Sequence, residues 1–180
     1  MSDVKKYSVQ ETVKNGLQVI IRAIRPADKD EFRAAVDELD DRSIYLRFFS
    51  PKKVSDKELA DATDVDFVKT VALVTCLQEN DTERIIGGGR YIAFGKSDPP
   101  DKAEVAFTVR KGYQGLGIGS LMLRHLAGIA KEKGIAEFDA DVLSDNTGML
   151  TVFKRSGFPM KLSYEYGVAH VILSLSGDES

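Results

Sequence analysis

Two groups of residues in this chain have types and spacings that can do chemistry. The first is Gln114-Gly115-Leu116-Gly117-Ile118-Gly119, which leaves a predicted strand and opens a predicted helix. Successive backbone N–H groups in such a loop, with the unsatisfied N–H groups and positive dipole end of the helix, form an anion site. Glycines let the backbone approach phosphate oxygens closely. Each glycine also costs a helix roughly 1 kcal/mol, so a bare strand-to-helix turn is the weaker explanation. The second group is Glu104 in Ala103-Glu104-Val105-Ala106-Phe107-Thr108-Val109. Alternation puts Ala103, Val105, Phe107 and Val109 on one face and Glu104, Ala106 and Thr108 on the other. A carboxylate there is either at a solvated strand start or held for proton transfer, since glutamate is almost never buried unpaired.

The ligand of the loop has several candidates. No Gly-Lys-Ser/Thr follows, so it is not a Walker P-loop. Gly115-x-Gly117-x-x-Ser120, with Asp139 or Asp141 about 20 residues on, imitates a dinucleotide fingerprint. Against that, Arg110-Lys111-Gly112-Tyr113-Gln114 separates the strand from the first glycine, and little chain follows Val142 for a second nucleotide-binding half. A dinucleotide-binding oxidoreductase fragment stays open as an alternative at this stage.

The elements around these groups follow from pattern. Asn15-Gly16 between two alternating runs predicts a hairpin. Residues 27–39 place Phe32, Ala35, Val36 and Leu39 on one helical face, and the acids of 28–41 and 56–66 are expected on solvated helix faces. Residues 42–49 are dense in aromatic and basic groups. Ser55 with Glu58 is a capping-box start for a short helix to Ala62. Strands are expected over 68–77, 84–94, 103–109 and 136–142, with a closing pair over 160–175 turning at Gly167. Gly87-Gly88-Gly89 inside a strand marks a bulge or a close backbone approach. A helix to Lys133 carries Ile118, Leu121, Met122, Leu126 and Ile129 as its apolar stripe, and Gly134 ends it. His125 on that helix is expected at the edge of the core. Asp145 or Asn146 caps a last helix closed by Gly157. This order is a mixed α/β sheet, not strict βαβ alternation.

Several stretches together are identified with one family. Gln114 to Gly119 resembles the acyl-CoA pyrophosphate loop of the GNAT superfamily of N-acetyltransferases. The stretch 103–119 resembles that family's fourth strand and loop. Residues 143–158, with Asn146 and Gly157-Phe158, resemble its later strand end and helix, and 24–32 its opening. More narrowly, Ser43 to Phe49 with Ala103 to Val109 is similar to the catalytic domain of Pat-type bacterial protein lysine acetyltransferases. The resemblance covers about residues 20–175 and implies a GNAT fold in a single domain: a mixed, mostly antiparallel central sheet flanked by helices. The expected division is an extension over 1–16 carrying an extra hairpin strand, an acetyltransferase domain over 17–176 and a frayed tail over 177–180.

The resemblance also implies roles. Acetyl-CoA is the cosubstrate, held by Gln114, Gly115, Leu116, Gly117, Ile118, Gly119 and Asn146, though Asn146 reads equally as a plain N-cap. A bulge near Phe107, Thr108 and Val109 is expected to free a backbone N–H for the thioester carbonyl. Glu104, ten residues ahead of Gln114, is implied as general base. A lysine acceptor has a pKa near 10.4, and freeing its amine at pH 7 costs roughly 4.6 kcal/mol. Many members carry a tyrosine, as general acid, where Phe153 stands here. A thiol leaves with a pKa near 8.5 and needs little help. Tyr164 and Tyr166 are candidate substitutes. The expected acceptor is a protein with an exposed lysine, acyl-CoA synthetases among them. The alternatives are a small-molecule amine acetyltransferase and a non-catalytic acyl-CoA sensor.

Composition bounds the partners. Of 180 residues, 43% are hydrophobic and 29% charged, a globular balance, and the net charge is −3. Such a chain lacks the basic footprint of a general nucleic-acid binder. No apolar run is long enough for a bilayer, and the polar N-terminus lacks a signal-peptide core. One cysteine, Cys76, and two distant histidines, His125 and His170, give no metal-site spacing. A cytoplasmic enzyme without metal, membrane or nucleic-acid partner is expected. At this length no room is expected for the regulatory domain that Pat-type proteins often fuse, so regulation is expected elsewhere.

Overall fold

The computed structural model describes residues 3–38 and 55–176. The aromatic-basic stretch 42–49, Leu39 and the tail 177–180 lie outside them. Eight strands form one sheet in the order β1-β2-β3-β4-β5-β6-β8-β7. They are β1 (Ser8–Thr12), β2 (Gln18–Ala23), β3 (Thr70–Glu79), β4 (Thr82–Phe94), β5 (Lys102–Val109), β6 (Glu137–Leu143), β7 (Met160–Glu165) and β8 (Val168–Ser174). The described helices are α1 (Lys29–Asp37), α2 (Asp56–Thr63), α3 (Ile118–Glu132) and α4 (Thr147–Lys154).

Every pairing is antiparallel except β5 with β6, which α3 links as a crossover. The expected mixed, mostly antiparallel sheet is therefore observed. The dinucleotide alternative, which needs a parallel sheet, is not.

The hairpin at Asn15-Gly16 forms as its turn chemistry dictates, with Gly16 at φ +83° and Ser8 opposite Arg22. Ser55 caps α2 by accepting from the Glu58 N–H at 3.1 Å. Gly134 ends α3 at φ +84°. The stripe of α3 behaves as patterned: Ile118, Met122, Leu126 and Ile129 are buried, while Leu121 is half-buried. Its first turns pack on the glycines of β4. A Cβ on Gly87 would lie 3.0 Å from Ile118 Cγ2, and one on Gly89 would lie 2.8 Å from Phe107 Cδ1. Ile86, beside them, is the extra residue of a bulge, because Thr75 pairs with Gly87 and Cys76 with Ile85.

Among the described acids of 28–41, Asp30, Asp37 and Glu38 are exposed as expected, while Asp28 and Glu31 are less solvated than their helical positions suggest. Asp28 is buried and forms a two-bond pair with Arg22 at 2.8 Å, which also holds Glu83 at 2.9 Å. Glu38 and Glu31 grip the buried Arg110 just past β5 at 2.6 and 3.1 Å. These ion pairs clamp α1 onto the sheet beside the glycine loop. The Arg22 and Arg25 partners outweigh burial and hold the Asp28 carboxyl below its usual range.

Candidate active site

Pairing along β5 controls the site. Against β4 it is continuous from Lys102↔Phe94 to Val109↔Gly87. Against β6 it stops after Glu104↔Asp139. The two strands then part. Arg110 N–H bonds to Ile86 O at 2.8 Å. By antiparallel alternation the amides of Thr108 and Ala106 also face β4, so those of Phe107 and Val109 point into the gap left by β6. The bulge expected near Phe107 to Val109 is absent. Strand divergence frees the same amides, and the bulge sits one strand over, at Ile86.

A cleft of about 490 Å³ opens at this end of β5. Phe107, Thr108, Val109, Gln114, Gly115, Gly117, Ile118, Gly119 and Asn146 line it, as the sequence groups them. Gly115 and Gly117 hold φ of +80° and +89°, the left-handed region that glycine enters freely. Gly117 is the residue before α3, so the chain turns there and directs the first amides of α3 at the cleft. Gln114 Nε2 reaches Val109 O at 3.4 Å, closing the loop back on β5. Leu116 is the exception: its side chain packs against the core, and its carbonyl accepts from Lys14 N–H. Asn146 accepts from Met149 N–H at 3.1 Å as the α4 cap, and it also lines the cleft.

Sequence reasoning missed Lys14, Tyr113, Gly148, Thr151 and Arg155, which also line the cleft. Gly148, Thr151 and Arg155 recur at helical spacing, a signal the α4 sequence does carry. Lys14 arrives from a hairpin some hundred residues away, and nothing local marks it. Among the described residues the lining includes two cations and no acid, in a chain of net charge −3.

A narrow slot of about 40 Å³ runs between the parted strands, lined by Val105, Phe107, Ala140, Asp141, Asn146, Met149 and Phe153 among others. It shares Phe107, Asn146 and Met149 with the cleft. Phe153 is 2% exposed and packs on Phe107 with ring centroids 6.0 Å apart. Tyr164 and Tyr166, at 59% and 96% exposure, lie at the β7–β8 turn and line neither space. The structure does not bring them to the site as substitute acids.

Across the slot, on the opposite face, lies an acidic groove. Glu104, Asp139, Asp141, Ala140 and Phe94 line it. Glu104 and Asp139 stand side by side in register on β5 and β6. Burial, and after it the hydrogen bond and charge of Glu137, push the Asp139 carboxyl up to about 7. Its Oδ1 is buried without a hydrogen-bond partner. Asp139 and Asp141 therefore belong with Glu104 and not with a ribose at the glycine loop. Asp141 is held by His170 Nδ1 at 2.5 Å. His125 has partners beyond the core edge expected of it: Nδ1 meets Tyr7 Oη at 2.5 Å and Nε2 meets Glu11 at 2.9 Å, joining α3 to β1. Cys76 is buried in β3, and burial pushes its thiol up to about 12, so it supplies no thiolate nucleophile. Among the described residues no cluster of three or more metal-ligating side chains occurs, and no helix is long and apolar enough to cross a membrane.

An amide-rich cleft suited to an anion, a slot and a carboxylate groove thus follow one another along one parted strand pair. Residues 34–158 match the acetyltransferase (GNAT) family, and the chain belongs to that family. Within it the likeness is to Pat-type domains. The chain is 31% identical over 145 residues to acetyltransferase Pat of Mycolicibacterium smegmatis, covering 81% of this chain and 42% of that protein. It is 28% identical over 149 residues to acetyltransferase PA5475 of Pseudomonas aeruginosa, covering 82% and 78%. The crystal structure of the GNAT domain of S. lividans PAT superposes with a TM-score of 0.82 at 32% identity, covering 93% of this chain and 96% of that one. The chain is thus an acetyl-CoA-dependent N-acetyltransferase by family, and it spans under half of the smegmatis Pat.

Proposed function

We propose that the chain transfers the acetyl group of acetyl-CoA directly to the side-chain amine of a protein lysine, with Glu104 as general base. The observation that carries this is the continuity of cleft, slot and acidic groove across β5. The cleft suits the pyrophosphate: loop amides, the α3 terminus and two cations meet it with no opposing acid. The pantetheine arm would enter between β5 and β6, where peptide groups left by the parted strands can bond its amides. The thioester carbonyl would then lie against the Phe107 or Val109 N–H, which stabilises the oxyanion of the tetrahedral intermediate. A cationic lysine suits the acidic groove on the far side. Glu104 takes one ammonium proton, directly or through one water, and the free amine attacks the carbonyl carbon. The nitrogen, cationic after attack, gives its second proton to solvent; collapse breaks the C–S bond, and CoA leaves as thiolate, which takes a proton from solvent. Phe153 offers no proton, and the low thiol pKa makes one unnecessary at that step. With Cys76 inert, both substrates meet in one complex without an acyl-cysteine. Similarity to Pat-type domains supports a protein acceptor, with acyl-CoA synthetases as the first substrates to try.

The test is Glu104→Gln, assayed with acetyl-CoA and a panel of lysine-bearing proteins. Turnover is expected to fall by roughly 10²–10⁴, with acetyl-CoA affinity within a few-fold. A more alkaline buffer should partly rescue the variant, because free amine then needs no base. Full activity at neutral pH would assign the proton to another group. Joint loss of activity and acetyl-CoA binding would make Glu104 structural. A wild type that binds acetyl-CoA yet labels no protein would leave small amines or a sensor role.

A further inference from the structure

The N-terminal hairpin reaches into the cleft. Lys14 sits immediately before the Asn15-Gly16 turn that joins β1 to β2. Its N–H bonds to the Leu116 carbonyl at 3.2 Å, which ties the hairpin to the centre of the glycine loop. Its stem lies over the loop's second glycine: a Cβ built on Gly117 would be 3.6 Å from Lys14 Cε and 3.9 Å from Cγ. The ammonium is exposed and makes no ion pair among the described residues, and the side chain lines the cleft. Arg155, on the α4 side, is the other cation of that lining.

The hairpin's position is fixed at both ends of β1. Val13 N–H bonds to Leu17 O at 2.9 Å beside the turn. At the start of β1, Tyr7 Oη meets His125 Nδ1, and Glu11 bonds to His125 and to Arg124 of α3. These contacts hold the hairpin against the same helix whose first turn faces the cleft. Lys14 is therefore carried on a braced element, which lowers the entropy cost of holding its charge over a bound anion.

We infer that Lys14 is a cofactor-specificity residue, which closes the N-terminal hairpin over the glycine loop and pairs its ammonium with the phosphate groups of the acyl-CoA carrier. The inference rests on the acetyl-CoA reading above and adds to it a residue from outside the region that resembles the family. A loop of amides alone binds an anion without a net counter-charge. Lys14 supplies one at the glycine that lets the phosphate approach. It also makes the cleft favour the full carrier over a phosphate-free acyl thioester.

Calorimetric titration of the full chain with acetyl-CoA and with S-acetylpantetheine, which lacks every phosphate, tests this. Lys14→Met keeps the stem over Gly117 and the backbone bond to Leu116 while removing the charge. It is expected to weaken acetyl-CoA binding about tenfold and to flatten its salt dependence. Lys14→Arg should stay within about threefold of wild type, since it restores the charge. S-acetylpantetheine should bind wild type and Lys14→Met alike. Unchanged acetyl-CoA affinity in Lys14→Met, or an equal loss with the phosphate-free thioester, would overturn the phosphate role. Equal losses in the Met and Arg variants would do the same. A wild type that binds no acetyl-CoA would remove the acetyl-CoA reading itself, an outcome separable from loss of this one alone.

Discussion

The two ends of β5 carry opposite chemistry. At the C-terminal end, Phe107 to Val109 lead into glycines, free amides, Lys14 and Arg155, with no acid in the lining among the described residues. At the N-terminal end, Glu104 stands beside Asp139 with Asp141 close by. Glu104 and Phe107 are three positions apart, or roughly 10 Å of strand. The sheet also divides them by face, since Glu104 and Phe107 point to opposite sides. An anionic acyl carrier and a cationic acceptor are thus each offered a pole of opposite sign. In the proposed reaction they meet in the slot between the parted strands. Charge sorting along a single strand explains how a mildly acidic chain binds a polyanion at all. Its acids are spent elsewhere: on the Arg22 and Arg110 clamps, on helix faces and on the acceptor groove.

The poles should fail separately. The largest effect is expected at the phosphate pole. Gly117→Val puts a branched side chain at φ +89°, under the Lys14 stem and at the entry to α3. Acetyl-CoA affinity should fall by more than about 100-fold, through lost approach of the backbone and strain of a few kcal/mol in the loop. The sheet should persist, as judged by circular dichroism. A folded variant with unchanged affinity would separate the loop from the phosphate and break the comparison.

A smaller effect is expected at the acidic pole from Asp139→Asn. If Glu104 is the base, turnover should fall less than about tenfold, because Asp139 shapes the field and does not take the proton. A fall of 10²–10⁴, of the size general-base loss produces, would move that role to Asp139.

The smallest effect is on stability. Asp139 titrates near 7 in the fold and near 3.8 in the open chain. Between those values the folded protein holds a proton that the unfolded chain does not, so stability falls as pH rises through this window. Asp139→Asn should remove that fall. The variant should match wild type near pH 4 and exceed it at pH 8 by about 1 kcal/mol, discounted because the carboxyl is partly solvated. Thermal denaturation across pH 4–8 measures it. Parallel curves for the two proteins would mean that Asp139 is ionised throughout.

The phosphate pole was legible in the sequence because it is contiguous. Six residues from Gln114 to Gly119 carry the amides, and their glycines announce positive φ directly. Glu104 was legible because alternation sets its face, yet nothing marked Asp139 as its neighbour, and Asp139 or Asp141 entered only as the acid of the dinucleotide alternative. Periodicity says which way a side chain points and not which strand lies alongside. The misplaced bulge has the same origin. Freed amides on β5 depend on where β6 parts from it, and that is a property of the assembled sheet. Lys14 and the Tyr7–His125–Glu11 bridge were invisible for a simpler reason. Each joins residues a hundred or more positions apart, and neither leaves a local pattern. Asp28 looked like a dipole-favoured surface acid, and the buried Arg22 that claims it lies on another element.

The most direct test of the central claim is a calorimetric comparison of acetyl-CoA and NAD on the unmodified protein. The cleft offers amides and cations for a phosphorylated acyl carrier, and the acids Glu104 and Asp139 line a separate groove. Acetyl-CoA should bind with an affinity of micromolar order, and NAD should give no saturable heat. Saturable binding of NAD with no response to acetyl-CoA would contradict the assignment of the cleft and, with it, the division of β5 into donor and acceptor poles.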